Sequence, residues 1–251
     1  MQKDNVFELF TGKDSLKKKS RFPARLDFLQ SATGLVLAVF IMFHLVFESS
    51  ILLGKDAMYR LTKFFEADFL FEGGQPMIIS VLAFAVFVVF ILHALLAMRK
   101  FPASYKEYRR YRTHSTLLGH GDTNLWFIQI TTGFMMFFLG SIHLYTMMTQ
   151  PQNIGPYASA DRFYTDVMWP MYLMLLVSVV LHAGVGIYRL IIKWGWFDGN
   201  NPRVHRKTVR KVVRVVIALY LLLGIASLVT YMKIGYEHKN NYGSRYHAEM
   251  K

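Results

Sequence analysis

The chain has 251 residues, 53% of them hydrophobic and 16% aromatic, with a mean hydropathy of +0.27. That is too apolar for an ordinary soluble domain of this length. It contains no cysteine, which excludes disulfides, thiolate-ligated haem, c-type haem attachment and cysteine-held iron–sulfur clusters from this chain. The net charge of +13 would suit nucleic acid, but the basic residues sit at the ends of apolar segments, which excludes that reading too.

The first apolar run follows a basic stretch and so mimics a signal peptide. It is long, lacks a small-x-small cleavage site and carries His44, so it reads as a retained helix. Five segments have the length and composition to cross a bilayer, over residues 28–52, 76–98, 123–148, 167–192 and 211–233. Pro76 and Pro170 fall at or near the starts of the second and fourth, where proline costs least. No internal sequence repeat is evident, which weakens an inverted-repeat transporter. The expected fold is all-α: one membrane domain over residues 1–251, built as a five-helix bundle.

Lys and Arg number seven in residues 1–30, six in 99–122 and eight in 189–214, against three in 53–75, one in 149–166 and four after 231. The bias predicts a cytoplasmic N-terminus and an external C-terminus. The basic inner surface suits anionic lipid or a soluble partner. The outer loop 53–75 differs in kind, with Asp56, Glu66, Asp68 and Glu72 set among aromatics.

Four consecutive spans each carry one histidine: His44, His93, His143 and His182. Such a side chain is costly at that depth and marks function. Sequence distance from an inner anchor gives depth at about 1.5 Å per residue. His44 lies roughly 28 Å past Arg25 and His143 roughly 31 Å past Asp122, whereas His93 lies roughly 9 Å from Arg99 and His182 roughly 16 Å from Lys193. Depth therefore pairs His44 with His143 near the outer face and His93 with His182 nearer the inner face. Two bis-histidine b-type haems at two levels would make an electron path across the bilayer. A lone membrane histidine is as often a helix-packing hydrogen-bonder; two depth-matched pairs outweigh that reading. His114, His120, His205, His238 and His247 fall in loops or the tail and read as solvated, and the tail after residue 234 suggests no chemistry.

Haem propionates need donors. Gln30, Ser31, Trp126 and Lys193 gather near the inner boundary on three spans, and Arg162, the one basic residue of its outer loop, suits an outer propionate. Gly133, Gly140, Gly184 and Gly186 lie on ligand-bearing spans and admit either a macrocycle or a neighbouring helix.

The strings LDFLQSATGL (26–35), FEADFLFEGGQP (65–76), HALLAMRKFP (93–102), GDTNLWFIQ (121–129), TGFMMFFLGSIHLYTMMTQPQNIGP (132–156) and HAGVGIYRLIIKWGWFDG (182–199) carry a resemblance. The chain resembles the di-haem cytochrome b subunit of bacterial quinol:fumarate reductases, of the five-helix, single-anchor type in the succinate:quinone oxidoreductase superfamily. That resemblance implies two haem b per chain, ligated by His44 with His143 and by His93 with His182, with haem contacts at Gln30, Ser31, Trp126 and Lys193. It implies menaquinol oxidation at Glu66 and electron delivery to separate iron–sulfur and flavoprotein subunits on the cytoplasmic face, which hold the iron–sulfur clusters and FAD and reduce fumarate in anaerobic respiration. It also implies a bacterial inner-membrane location, with a dimer of the heterotrimer left open.

A carboxylate such as Glu66 suits the chemistry, because a quinol loses protons as it loses electrons. Glu48, one turn past His44 on the same face, is a second quinol-side acid, or else a helix-end carboxylate reaching water. One departure stands out. Well-studied relatives that use low-potential menaquinol carry a glutamate two residues before the fourth-span histidine, on a proton path that balances the electron charge; here that residue is Val180. The rival readings are succinate oxidation in the reverse direction, a formate dehydrogenase or hydrogenase cytochrome b, a transporter, and a haem-free anchor.

Overall fold

A computed structural model describes residues 21–102, 104–118, 121–197 and 201–248, with backbone alone at 111, 114–118 and 121–124. The described residues form helices and no strand. Five helices are long and apolar enough to span a membrane: α1 (Phe22–Glu48), α3 (Met77–Met98), α5 (Gly121–Thr149), α7 (Trp169–Trp194) and α8 (Pro202–His238). Three shorter ones lie between them: α2 (Lys55–Phe65), α4 (Tyr105–Leu118) and α6 (Pro156–Tyr164).

Local chemistry explains the ends. Proline occupies the first turn of α1, α6, α7 and α8, where its missing N–H is no loss. The Asn201 side chain caps α8 by accepting from the Arg203 and Val204 N–H groups. Gly195, in the left-handed region, stops α7. Between those ends the spans are apolar on nearly every face, and Phe43, Phe84, Phe138 and Leu222 stay exposed as lipid-facing surface.

The sequence reading placed loops at 53–75, 99–122 and 149–166. Each contains a short amphipathic or polar helix, below the length that marks a span. Helix α8 also begins before the expected residue 211. The basic run 203–214 is helical because Lys and Arg are good helix formers and the Asn201–Pro202 pair starts the turn.

Helices α1, α3, α5 and α7 close a ring: α1 packs on α3 and α7, and α5 packs on the same two. Helix α8 lies outside the ring against α7 and α1. Two glycines set the α7–α8 distance, since a Cβ on Gly184 would collide with Ile217 and one on Gly224 with Leu176. Helix α6 wedges against the end of α8, where a Cβ on Gly235 would lie 2.6 Å from the Ala160 carbonyl oxygen. A small buried cluster of Ile51, Met58, Ala160 and Tyr231 seals that end.

Candidate functional site

The ring has an axis, and all four histidines face it. His44 on α1 meets His143 on α5, diagonally opposite, with ring centroids 6.0 Å apart at an interplanar angle of 52°. His93 on α3 meets His182 on α7, on the other diagonal, at 6.4 Å and 88°. These are the two pairs that helix rise selects. His93 lies over Gly34 of α1, and ten residues separate Gly34 from His44. The two levels are therefore about 15 Å apart along the bundle.

At the level nearer the basic end, the neighbours orient each ring. The Thr33 hydroxyl lies 3.1 Å from Nδ1 of His93. The Thr132 hydroxyl lies 3.3 Å, and the Gln129 carbonyl oxygen 3.0 Å, from Nδ1 of His182. With Nδ1 engaged in both, Nε2 is the remaining ligand nitrogen, the arrangement that metal-ligating histidines use to fix their tautomer and direction. Glycine makes room: a Cβ on Gly34 would sit 2.8 Å from Cε1 of His93, and one on Gly133 2.9 Å from Cε1 of His182.

These partners expose a pattern that the sequence reading missed. Gln30-x-x-Thr33-Gly34 precedes His44-Leu45 on α1, and Gln129-x-x-Thr132-Gly133 precedes His143-Leu144 on α5, with 14 residues from glutamine to histidine in both. Fourteen residues are about four turns, so each set shares one face. His93-Ala94 and His182-Ala183 follow on the next helices. The chain does contain an internal repeat, α1–α3 and α5–α7, visible once the ring shows which residues correspond. That spacing is the one sequence signal for Gln129, Thr132, Thr33 and Gly34, and it gains its meaning from the ring.

The expected polar anchors separate. Lys193 donates to the Ser31 hydroxyl at 3.0 Å and lies 3.4 Å from the Asp27 carbonyl oxygen, so these two anchors do meet. Gln30 sits one residue away, with its Oε1 buried and lacking a protein partner among the described residues. Trp126 is half-buried on α5 against Phe127. Asp27 itself is paired with Arg99 and Lys100. Arg189 reaches across from α7 to the Gln129 side chain at 2.5 Å. Among the glycines, Gly133 of α5 faces His182 of α7, Gly186 of α7 faces the Gln129 amide of α5, Gly140 meets Phe90 at 3.5 Å, and Gly184 serves helix packing.

At the far end, His143 stands edge-on to Tyr172 at 5.6 Å. Tyr172 stacks on Phe163, and Phe163 on Tyr231. Tyr231 donates to Glu48 at 3.3 Å. Glu48 is thus half-buried and bonded rather than freely solvated. Arg162 is buried, donating to the Asn153 carbonyl oxygen at 2.6 Å. Glu66 caps the end of α2 at 3% exposure, ion-paired with Lys63 at 2.7 Å and overlaid by Gly74. Its neighbour Phe65 packs on Phe47, three residues past His44. Val180 is buried at 5% exposure and offers no proton carrier.

Of the remaining histidines, His247 is exposed, His120 lies outside the described residues, and only the backbone of His114 is described. His238 departs from the solvated expectation: it is 6% exposed and bonded to Asp161. Its burial comes from α6, an element absent from the sequence reading.

The donor set fits haem. Two imidazoles sharing one iron through bonds of about 2 Å put their ring centroids roughly 6 Å apart, as both pairs are. The close glycine faces agree with that use; at the other level Nδ1 of His143 is buried without a protein partner among the described residues. A four-helix ring with two histidine pairs stacked on its axis defines a multi-pass membrane protein of the cytochrome b class.

The comparisons name the particular line. A family model described as the succinate dehydrogenase/fumarate reductase transmembrane subunit matches residues 105–223. The chain is 52% identical over 237 residues to the fumarate reductase cytochrome b subunit of Wolinella succinogenes, covering 94% of this chain and 93% of that one. It is 46% identical over 241 residues to the subunit of the same name from Helicobacter pylori strain J99, covering 96% and 93%. The chain belongs to the family of fumarate reductase cytochrome b subunits, multi-pass proteins of the bacterial inner membrane.

Proposed function

We propose that this subunit oxidises menaquinol at its external end and passes the electrons inward to an iron–sulfur subunit and a flavoprotein that reduces fumarate to succinate. The observation that carries the reading is the pair of histidine couples facing across one bundle axis at two levels. His44 with His143, and His93 with His182, would hold two haem b, which supply one-electron carriers between the membrane faces.

The rest of the chemistry belongs to the chain's own side chains. Thr33, Thr132 and the Gln129 carbonyl hold the lower rings in direction. Ser31 and Lys193, with Gln30 and Trp126 beside them, supply donors for propionates at the basic end, and Arg162 supplies charge at the other. Glu66 takes a quinol proton, and the Lys63 ammonium beside it, 2.7 Å away, holds the carboxylate in place. Glu48 is a second acid on the same side, held by Tyr231. The basic end, with 21 of the 29 Lys and Arg (seven, six and eight in the three stretches counted above), faces the cytoplasm and docks the two soluble subunits.

The test is a dithionite-reduced minus oxidised spectrum of the purified complex, with haem quantified per copy of this chain. Two b-type haems are expected. Zero in an intact complex would leave a haem-free anchor, and one would mean that one of the two pairs has another purpose.

A further inference from the structure

A polar network outside the ring gathers at the C-terminal end of α8, in the segment where the sequence suggests no chemistry. His238 is the last residue of α8 and is buried. Its Nδ1 lies 2.8 Å from Oδ1 of Asp161 on α6, and its Nε2 lies 2.8 Å from the Ser244 hydroxyl. The second oxygen of Asp161 accepts the Gly243 N–H at 3.0 Å. Tyr157, also on α6, stacks flat on the imidazole at 4.0 Å. Both carboxylate oxygens of a 4%-exposed aspartate are thereby satisfied by groups from the end of the chain.

The same segment reaches further. Tyr242 donates to Asp166 at 3.0 Å. Tyr246 donates to Asp56, in the first turn of α2, at 2.6 Å. The Tyr246 ring packs on Tyr59 of α2 and on Tyr157 of α6, and the Lys55 ammonium sits over both Tyr157 and Tyr246. Residues 238–246 therefore strap α2 to α6, two helices a hundred residues apart in the chain.

Each strapped helix carries one candidate at the far end. Arg162 follows Asp161 directly, and Glu66 caps α2. We propose that the Asp161–His238 pair and the strap 239–246 position Arg162 and Glu66 relative to the His44–His143 couple; this rests on the quinol-oxidation reading above. A buried ion or hydrogen-bond pair stripped of one member leaves the other uncompensated, so its helix moves to find a partner. A carboxylate that must reach a quinol hydroxyl tolerates little such movement. His238, Asp161 and Tyr246 are positioning residues here, since they act through Arg162 and Glu66.

The experiment uses His238→Gln and Tyr246→Phe in the intact complex. Hydrogen exchange is followed over residues 55–66 and 156–166, both haem midpoint potentials are titrated, and KM and kcat are measured with a soluble menaquinol analogue. His238→Gln is expected to speed exchange in 156–166 and Tyr246→Phe in 55–66. The potential at the His44–His143 level should shift while the other stays, and quinol KM should rise about tenfold with little loss of fumarate reduction driven by a water-soluble reductant. Unchanged exchange would overturn the strap. Faster exchange with unchanged potentials and KM would reduce it to a fastening with no bearing on the site, and would overturn the positioning. Should His238→Gln not assemble, Tyr246→Phe and Tyr242→Phe each remove a single hydroxyl and give the same readouts. A wild-type complex without haem would sink the quinol reading, and the positioning with it, whereas the exchange data would still decide whether the strap holds.

Discussion

Replacing Gly34 by alanine tests the tightest approach of a glycine to one of the four ring histidines. The new methyl would lie 2.8 Å from Cε1 and 3.4 Å from Nδ1 of His93. Ordinary contact begins near 3.4 Å, so the ring must withdraw by about 0.6 Å, the difference of those two distances. It cannot simply swing aside, because the Thr33 hydroxyl holds Nδ1 at 3.1 Å. Overpacking of this kind costs about 1–3 kcal/mol. Alanine returns about 1 kcal/mol through its better helix propensity. The net penalty of about 0–2 kcal/mol is therefore too small to unfold the bundle, and it falls on one ligand. It corresponds to haem retention weakened by up to about 30-fold. The assay is the difference spectrum with haem per chain, taken beside Gly140→Ala. There the methyl meets Cζ of Phe90 at 3.5 Å, an ordinary contact, so no change is expected. Full occupancy with an unmoved band and potential in Gly34→Ala would refute the close-approach reasoning. Gly133→Ala should reproduce the defect through His182, at 2.9 Å.

Thr132→Val removes the hydroxyl beside Nδ1 of His182 but leaves the Gln129 carbonyl, so a loss of about 1 kcal/mol in ligand orientation is expected, seen as a shifted potential at the basic-end level only. Glu66→Gln should abolish quinol-driven fumarate reduction while sparing reduction driven by a soluble dye; retained quinol turnover would remove Glu66 from proton transfer. Glu48→Gln keeps an acceptor for Tyr231, so the fold should survive, and quinol turnover and the far-level potential should fall together if Glu48 takes part. Unchanged values would leave it a helix-end acid. With Val180 buried and unable to carry a proton, quinol oxidation by the complex in sealed vesicles should build a membrane potential unless another route compensates, and a potential-sensitive dye reads this directly.

The four histidines and the five spans were legible in the residues because a bilayer penalises polarity along its depth, one coordinate that helix rise converts into sequence distance. The same conversion chose the pairs: His44 and His143 lie far from their basic anchors, while His93 and His182 lie close. Ser31 and Lys193 were legible as boundary residues for the same reason.

Contacts around the bundle axis were not legible, because rotation and neighbour order leave no trace in hydropathy. Thr33 touches His93 from 60 residues away, and Thr132 touches His182 from 50. Until the ring closes, the two Gln-x-x-Thr-Gly segments look like unrelated polar interruptions in apolar runs. Helices α2, α4 and α6 stayed hidden because each is shorter than a span and mixes aromatics with charge, so a reading by depth and length passes over them.

Composition and the rise of a helix determined that this chain crosses the membrane five times and carries imidazoles at two depths. The tertiary structure decided which helices are neighbours, which glycines yield to a histidine, and that His238 is buried against Asp161 rather than solvated. Depth is fixed by the solvent a segment must live in, whereas a partner 77 residues away is fixed only by how the helices close around one another.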